Sequence, residues 1–155
     1  MLQIGIHYTD VLEYLVGPIT AVSARLAQLV LPGDNPDVAS LVLEHENGAL
    51  STLNASYASA SENYVMNIYG KEASAYYDLN QGLRFVKRGA PGAAAVSCAK
   101  NDAIVEELEE FAAAARGEAE PEMTGERATA SLAVIRAGIV SAREGRRVTV
   151  AEMLA

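Results

Sequence analysis

The sequence predicts an α+β fold, in which an open, mainly antiparallel β-sheet has helices packed on one face. Three observations indicate this class. A helical segment opens the chain, strand-like segments separated by turn signals fill residues 19–87, and two segments with the 3.6-residue period of helices follow. We find no internal repeat and no long linker in the 155 residues. We therefore expect a single domain over residues 1–155.

The first predicted element is an amphipathic helix over residues 1–17, which Gly17-Pro18 closes. Six strands follow, because each segment is rich in β-branched or aromatic residues or bounded by turn-forming residues. These strands are residues 19–31, 37–46, 49–57, 63–69, 73–79 and 83–87. Ala and Leu in residues 19–31 leave a helix open there. Asn47-Gly48 is the strongest hairpin signal, because a type I′ turn needs positive φ at both central residues.

The last third of the chain predicts two helices. Asp102 and Thr124 are suited to cap their N-termini, and Gly117 and Gly145 are placed to end them. The other predicted elements are a loop at residues 89–95, a short strand at residues 146–150 and a helical turn at residues 151–154. These helices would cover one face of the sheet.

Composition excludes several classes of function. A formal net charge of −8 argues against nucleic-acid binding, which needs clustered Lys and Arg. No apolar run approaches the roughly 20 residues that cross a bilayer, and the N-terminus lacks the features of a signal peptide. The single cysteine, Cys98, fits a reducing compartment. We therefore expect a soluble, cytoplasmic protein with neither nucleic acid nor membrane as a partner.

The opening helix carries the segment Gly5-Ile-His7-Tyr-Thr-Asp10. Further segments in the same order are Asn47-Gly48, residues 68–73, residues 109–117, residues 132–137 and residues 141–148. Together they resemble the C-terminal domain of the glucose–fructose oxidoreductase, inositol dehydrogenase and rhizopine-catabolism (Gfo/Idh/MocA) family. Each segment alone is weak evidence, but the ordered series spans nearly the whole chain.

This resemblance implies a substrate-binding and oligomerisation domain of an enzyme that moves a hydride between NAD or NADP and a sugar, polyol or similar substrate. Because the resemblance begins at residue 1, we expect the nucleotide-binding (Rossmann) half, which precedes this domain in the family, to be missing from this chain. The first hypothesis is therefore a truncated piece, or one partner of a split enzyme whose Rossmann domain is a separate chain. The alternative is a non-catalytic binding or assembly module derived from the domain.

The resemblance also implies site residues. His7 is the candidate catalytic residue, because a neutral imidazole with a reference pKa of about 6.5 can take the proton of a substrate hydroxyl. Gln3 and Asp10 are candidate substrate contacts; many members carry Asp where this chain has Gln3. Two structural alternatives stay open. His7 could be satisfied by its neighbours at a helix start, and Asp10 could simply be stabilised by the helix dipole.

No cofactor or metal site is predicted within this chain. A dinucleotide fold needs a glycine-rich turn between strand and helix, and the chain has no Gly-x-Gly. None of its three lysines stands in the Glu-Lys-Pro motif of the family's nucleotide domain. We expect the isolated chain to be inactive and to bind no cofactor, although NAD or NADP is implied for a complete enzyme. His7 and His45 are too few and too far apart in sequence to indicate a metal site.

The final prediction concerns the second face of the sheet. A solvated face should leave a clean alternation of apolar and polar residues. Residues 26–31 and 64–69 instead place large apolar side chains on both faces. We therefore expect a homo-oligomer, at least a two-fold dimer, that packs through the sheet face and buries on the order of 1,000 Å² or more.

Overall fold

The structure, a computed structural model, describes residues 2–99 and 101–155, with side chains from residue 5 onward. Its elements are α1 (Leu2–Val16), β1 (Ile19–Ala27), β2 (Val38–His45), β3 (Leu50–Ser56), β4 (Val65–Tyr69), β5 (Ala73–Asp78), β6 (Gly82–Lys87), β7 (Ala94–Ala95), α2 (Ala103–Ala115), α3 (Gly125–Glu144), β8 (Val148–Thr149) and α4 (Ala151–Leu154). Within the described residues the strands form two four-stranded antiparallel sheets. The α+β class and the antiparallel pairing are confirmed, with two sheets in place of one.

The chain divides into two compact units. The first comprises Met1–Ser59 and Pro121–Ala155, and the second comprises Ala60–Glu120. The single domain expected over residues 1–155 stays a prediction.

The first unit contains the sheet β3-β2-β1-β8, with α1 and α3 packed on one face. Burial alternates along β2, where Leu41 and Leu43 are enclosed and Val42 between them faces away from the core. Val22 of β1 and Val134 of α3 join the same apolar cluster. Each such fully buried side chain contributes roughly 1.5–3 kcal/mol relative to an exposed one. This core fixes the helices on the sheet.

The second unit contains the sheet β4-β5-β6-β7 and helix α2. The antiparallel register places six apolar or aromatic side chains of its three longer strands on one face, namely Met66, Ile68, Ala75, Tyr77, Leu83 and Phe85. The other face carries a row of Asn67, Tyr76 and Arg84 together with Val65, Tyr69 and Val86, so large apolar side chains occur on both faces. The predicted cap of α2 is confirmed, because the Asp102 carboxylate accepts from the amides of Ile104 and Val105 at 3.2 and 3.3 Å.

The prediction of a strand over residues 19–31 is wrong at its end, since β1 stops at Ala27. The carboxylate of Asp37, which is buried, accepts hydrogen bonds from the amides of Leu29, Val30 and Leu31 at 2.8, 2.8 and 2.7 Å. These bonds, led by those from Leu31 and Val30, lower the pKa of Asp37. Residues 29–31 therefore belong to a loop, and they give no evidence about the faces of a strand.

The hairpin at Asn47-Gly48 is confirmed, but its predicted turn type is wrong. Gly48 has φ +84°, whereas no described residue other than glycine has positive φ. The Gly48 amide donates to the His45 carbonyl at 3.0 Å, and the His45 amide donates to Ala49 at 3.0 Å. This is a three-residue loop, in which a turn with ordinary φ values is followed by a left-handed glycine.

The two predicted ends of α3 agree more closely with the structure. Thr124 caps α3 by accepting from the Arg127 amide at 3.3 Å, and Gly145 ends that helix with φ +67°. The predicted final strand is shorter than expected, because β8 covers only Val148–Thr149. β7 was not predicted, since its two alanines stand in a segment of small residues without a strand signal.

Candidate functional site

Helix α1 packs one side against the core and turns the other to solvent. Gly5 and Thr9 are buried, and Tyr8 and Leu12 lie on the core side or pack against it. The Thr9 hydroxyl donates to the Ile6 carbonyl at 2.9 Å, which satisfies it inside the helix. This packing determines which α1 residues a ligand can reach.

His7 lies on the outer side of α1 and is exposed. Its side chain makes no hydrogen bond or ion pair with any residue that the structure describes. Tyr14, seven residues on and 65% exposed, shares this side of the helix. The imidazole is therefore free to contact a ligand from outside, and its catalytic role stays a prediction.

Asp10 is joined to α3. Its Oδ1 lies 3.2 Å from Nη2 of Arg127, in an ion pair whose side chains are 27% and 36% exposed. Arg127 also donates to the Glu122 carbonyl at 2.7 Å and lies 6.0 Å from the centroid of the Tyr14 ring. A partly exposed pair of this kind is worth about 1 kcal/mol or less. This ion pair gives Asp10 a structural role, but the helix-dipole alternative is wrong, because α1 begins at Leu2 and Asp10 lies beyond its first turn. The contact of Asp10 with substrate stays a prediction.

Glu13 anchors the next turn of α1 to two other elements. Its Oε2 accepts from the Ser131 hydroxyl of α3 at 2.9 Å, and Oε1 accepts from the Ile19 amide at the start of β1 at 3.3 Å. Ser131 is buried. Both carboxylate oxygens are therefore used to hold α1 in place.

The junction between α1 and β1, residues 16–18, is held by three consecutive residues of the β2–β3 hairpin. The Asn47 amide group donates to the Val16 carbonyl at 2.6 Å, and the Glu46 amide donates to the Pro18 carbonyl at 2.9 Å. Between them, Nδ1 of His45 lies 2.6 Å from the Gly17 carbonyl. These contacts satisfy carbonyls that a helix end leaves without partners.

His45 is a structural residue. Because a carbonyl only accepts, Nδ1 of the ring must carry a hydrogen, while Nε2 lies 2.8 Å from the Ser51 hydroxyl. Both ring nitrogens of this buried side chain are thus engaged. Among the described residues, no three His, Cys, Asp or Glu side chains are grouped as a metal ion requires.

The side chain of Gln3 lies outside the described part of the structure. A dinucleotide site is built on a parallel βαβ unit, whereas the strands in the described ranges pair only antiparallel. The described strands therefore do not supply the parallel unit on which such a site is built, and the expectation that this chain binds no cofactor stays a prediction. Across the same ranges, no helix has both the length and the apolarity to span a bilayer.

Sequence reasoning missed Arg127, His45 and Glu13 as the residues that position α1. Arg127 and Asp10 are 117 residues apart, and nothing near Arg127 in the sequence marks it as a partner of Asp10. The Asn47-Gly48 signal located the hairpin, but it did not reveal that this hairpin contacts the helix end. Only the tertiary structure brings these groups together.

The sequence of this chain is similar to those of known oxidoreductases. A family model for the GFO/IDH/MocA C-terminal domain matches residues 1–76. The chain is 31% identical to a D-apiose dehydrogenase from Paraburkholderia graminis, over 94% of this chain and 43% of that protein. A D-apiose dehydrogenase from Rhizobium rhizogenes is 34% identical over 36% of this chain and 16% of its own length.

Solved structures share the fold. A candidate NADPH-dependent oxidoreductase from Desulfitobacterium hafniense is 27% identical and superimposes with a TM-score of 0.92, over 99% of this chain and 48% of that one. The WlbA dehydrogenase from Bordetella pertussis, solved with NADH and UDP-GlcNAcA, gives a TM-score of 0.73 at 24% identity, over 94% of this chain and 43% of its own. The chain thus spans less than half the length of these relatives. It belongs to the C-terminal domains of the GFO/IDH/MocA oxidoreductase family.

Proposed function

We propose that this chain is the substrate-facing half of an NAD-dependent dehydrogenase that acts on a sugar or polyol. The observation that carries the proposal is the exposed His7 on a helix that is otherwise fixed at several points. D-apiose is the first substrate to test, because the relative from Paraburkholderia graminis is a D-apiose dehydrogenase.

The proposed task of His7 is proton transfer. Oxidation of a hydroxyl requires loss of its proton, and a neutral imidazole within hydrogen-bond reach can accept it. A general base is effective only when its position is maintained to within about 0.5 Å. The bonds of Asp10 and Glu13 to α3, and the contacts at residues 16–18, support the helix along one face and at its C-terminal end. Gln3 and the free Oδ2 of Asp10 are the proposed contacts to neighbouring substrate hydroxyls.

We propose that the cofactor binds to a separate nucleotide-binding part of the complete enzyme. This part would correspond to the portion of the relatives that lies outside their match with this chain. The relative from Paraburkholderia graminis extends well beyond the matched region, since the match covers 43% of its length. That portion would be supplied either by the same polypeptide or by a separate Rossmann-domain chain. NAD is the favoured cofactor, because NADH occupies the WlbA relative.

Two measurements test whether the cofactor binds outside this chain and whether His7 transfers the proton. Calorimetric titration of the isolated chain with NAD and NADP should show no binding, and micromolar affinity for either would overturn it. In an enzyme completed with the nucleotide-binding half, fused or added in trans, His7→Ala should lower kcat about 10²- to 10⁴-fold while the Kd for NAD stays constant. Tyr14→Phe, on the same side of α1, is the control and should leave kcat unchanged. Equal kcat in the two variants would refute the role of His7, and a complete enzyme without turnover would favour the non-catalytic binding module.

We also propose that copies of the chain associate through the apolar face of the β4–β6 sheet. Ile68, Tyr77 and Phe85 on this face are 37%, 41% and 38% exposed, which is unusual for adjacent large apolar side chains of a monomer. Light scattering at micromolar concentration should give at least the mass of a dimer. Ile68→Lys should lower that mass, whereas Asn67→Lys on the opposite face should not. A monomer mass for the unmodified chain would refute the proposal.

A further inference from the structure

A groove with a volume of about 310 Å³ lies in the first unit, beside the edge of β1 that the short strand β8 leaves unpaired. Ala24 of β1 and Ser141 and Gly145 at the end of α3 line it on the helix side. Its other polar residues are Ser23 and Arg25 of β1, Ser40 of β2, and Arg146 and Arg147 just before β8. None of these residues belongs to the candidate site on α1.

The strand register places Arg25 and Arg147 on the same face of the sheet, beside this groove. Val22 pairs with Val148, so Arg147, one residue earlier, lies opposite Ser23 by continuation of the antiparallel register. Arg25 is two residues further along β1 on the same face. Arg25 and Arg147 are therefore diagonal neighbours, whose backbones are about 7–8 Å apart.

The carboxylates near the groove are already engaged. Both oxygens of Glu44 accept from Arg147, at 2.7 and 2.6 Å, and this bond lowers the pKa of Glu44. Glu144 and Glu152 accept from Arg146 at 2.8 and 3.0 Å. Glu44 pairs with Ala21, so it lies on the side of Arg147 away from Arg25. The charge of Arg25 therefore has no counter-ion among the described residues.

We propose that this groove binds a small oxyanion, a carboxylate or phosphate group, with Arg25 as its main partner. The planar guanidinium offers two parallel N–H donors, which match two oxygens of such an anion. The Ser23 hydroxyl has no hydrogen bond within the described part of the chain and supplies a further donor. Arg146 and Arg147 are held in place by Glu44, Glu144 and Glu152, whose charges offset theirs, so that Arg25 supplies the unpaired positive charge of the groove.

The test uses the chain as it is, with inorganic phosphate and acetate as probes at ionic strength held constant with chloride. Amide NMR shifts at residues 23–25, Ser40 and Arg147 should saturate with either probe. Arg25→Gln should weaken the affinity at least tenfold, and Arg25→Lys, which keeps the charge without the planar fork, should lie in between. Arg136→Gln is the matched control, because Arg136 is an exposed arginine on α3 without a bond to any described residue; it should bind like the unmodified chain.

Three results would overturn the proposal. Shifts that never saturate, or that are equal in Arg25→Gln and the unmodified chain, would exclude a specific site. Binding by Arg25→Lys at full affinity would exclude the paired donors. Light scattering separates a free anion from a carboxylate of a second copy: a dimer that phosphate dissociates, and that Arg25→Gln abolishes, would assign the groove to the second copy.

Discussion

Ser141 offers a quantitative test of how α3 is fixed to the sheet. Its buried hydroxyl accepts from the Ala24 amide of β1 at 2.9 Å and donates to the Arg146 carbonyl at 2.5 Å. Ala24 lies beyond the short strand β8, which pairs only with Ala21 and Val22. Ser141 therefore takes the place of a neighbouring strand for this amide. We expect Ser141→Ala to leave the amide buried without an acceptor.

The expected loss of stability in Ser141→Ala follows from the Ala24 amide alone. A buried donor without a partner costs about 1–3 kcal/mol. For a urea m-value of about 2 kcal/mol per molar, the unfolding midpoint should fall by about 0.5–1.5 M with an unchanged slope. Far-UV circular dichroism would follow the transition.

Ser40→Ala is the matched control. The Ser40 hydroxyl also makes a short bond, 2.7 Å to Oδ1 of Asn54, but the pair is exposed. Its removal should change the free energy of unfolding by less than about 0.5 kcal/mol. If Ser141→Ala were equally mild, water would be reaching the Ala24 amide, and the reasoning about burial would be refuted.

Three further outcomes are expected. Gly17→Ala should lower the free energy of unfolding in urea by about 1–3 kcal/mol, because Gly17 has φ +112°, which residues with a side chain rarely adopt. Gly125→Ala, in the first turn of α3, is the control and should not lower it. Equal stability of the two variants would contradict this prediction. The hydrogen bond from the Thr149 amide, ahead of the bonds from Arg146 and the Thr149 hydroxyl, lowers the pKa of Glu152 to about 2. The ionised Glu152 therefore stabilises the fold above the ordinary pKa of 4.5, and this contribution is lost as the pH falls toward 2. Glu152→Gln should flatten the pH dependence of the free energy of unfolding over that interval, and an unchanged profile would count against this role of Glu152. Asp37→Asn should speed amide hydrogen exchange within Leu29–Leu31, because these amides bond to both carboxylate oxygens and the NH₂ that replaces one oxygen cannot accept a hydrogen bond. Unaltered exchange would show that the carboxylate does not order the loop.

Local chemistry explains which parts of the fold were predictable. Asp102, Thr124 and Gly145 mark helix ends through side-chain bonds or backbone freedom that act within a few residues. The end of β1 was not predictable in the same way. Leu29–Leu31 have the composition of a strand, but the Asp37 carboxylate six to eight residues later takes their amides.

In the candidate site, too, the sequence indicates contiguous motifs but not contacts between distant residues. The family resemblance located His7 and Asp10, because its motif is a contiguous segment. The residues that fix their helix come from β2 and α3, and their role depends on which groups the fold brings together. His45 illustrates this, since its sequence neighbours Glu44 and Glu46 suggest an exposed position, whereas the strand period turns its ring inward to the Gly17 carbonyl.

The contacts at residues 16–18 have a consequence for how α1 forms. Local hydrogen bonds serve the start and middle of a helix, but the carbonyls of Val16 and Gly17 gain their partners only when the β2–β3 hairpin is in place. Completion of this helix end is thus coupled to contacts about 30 residues away in sequence, which form more slowly than helical turns. A peptide of residues 1–17 would lack those partners. Any fragment or graft that is meant to present His7 in its native orientation must therefore include the hairpin as well as the helix.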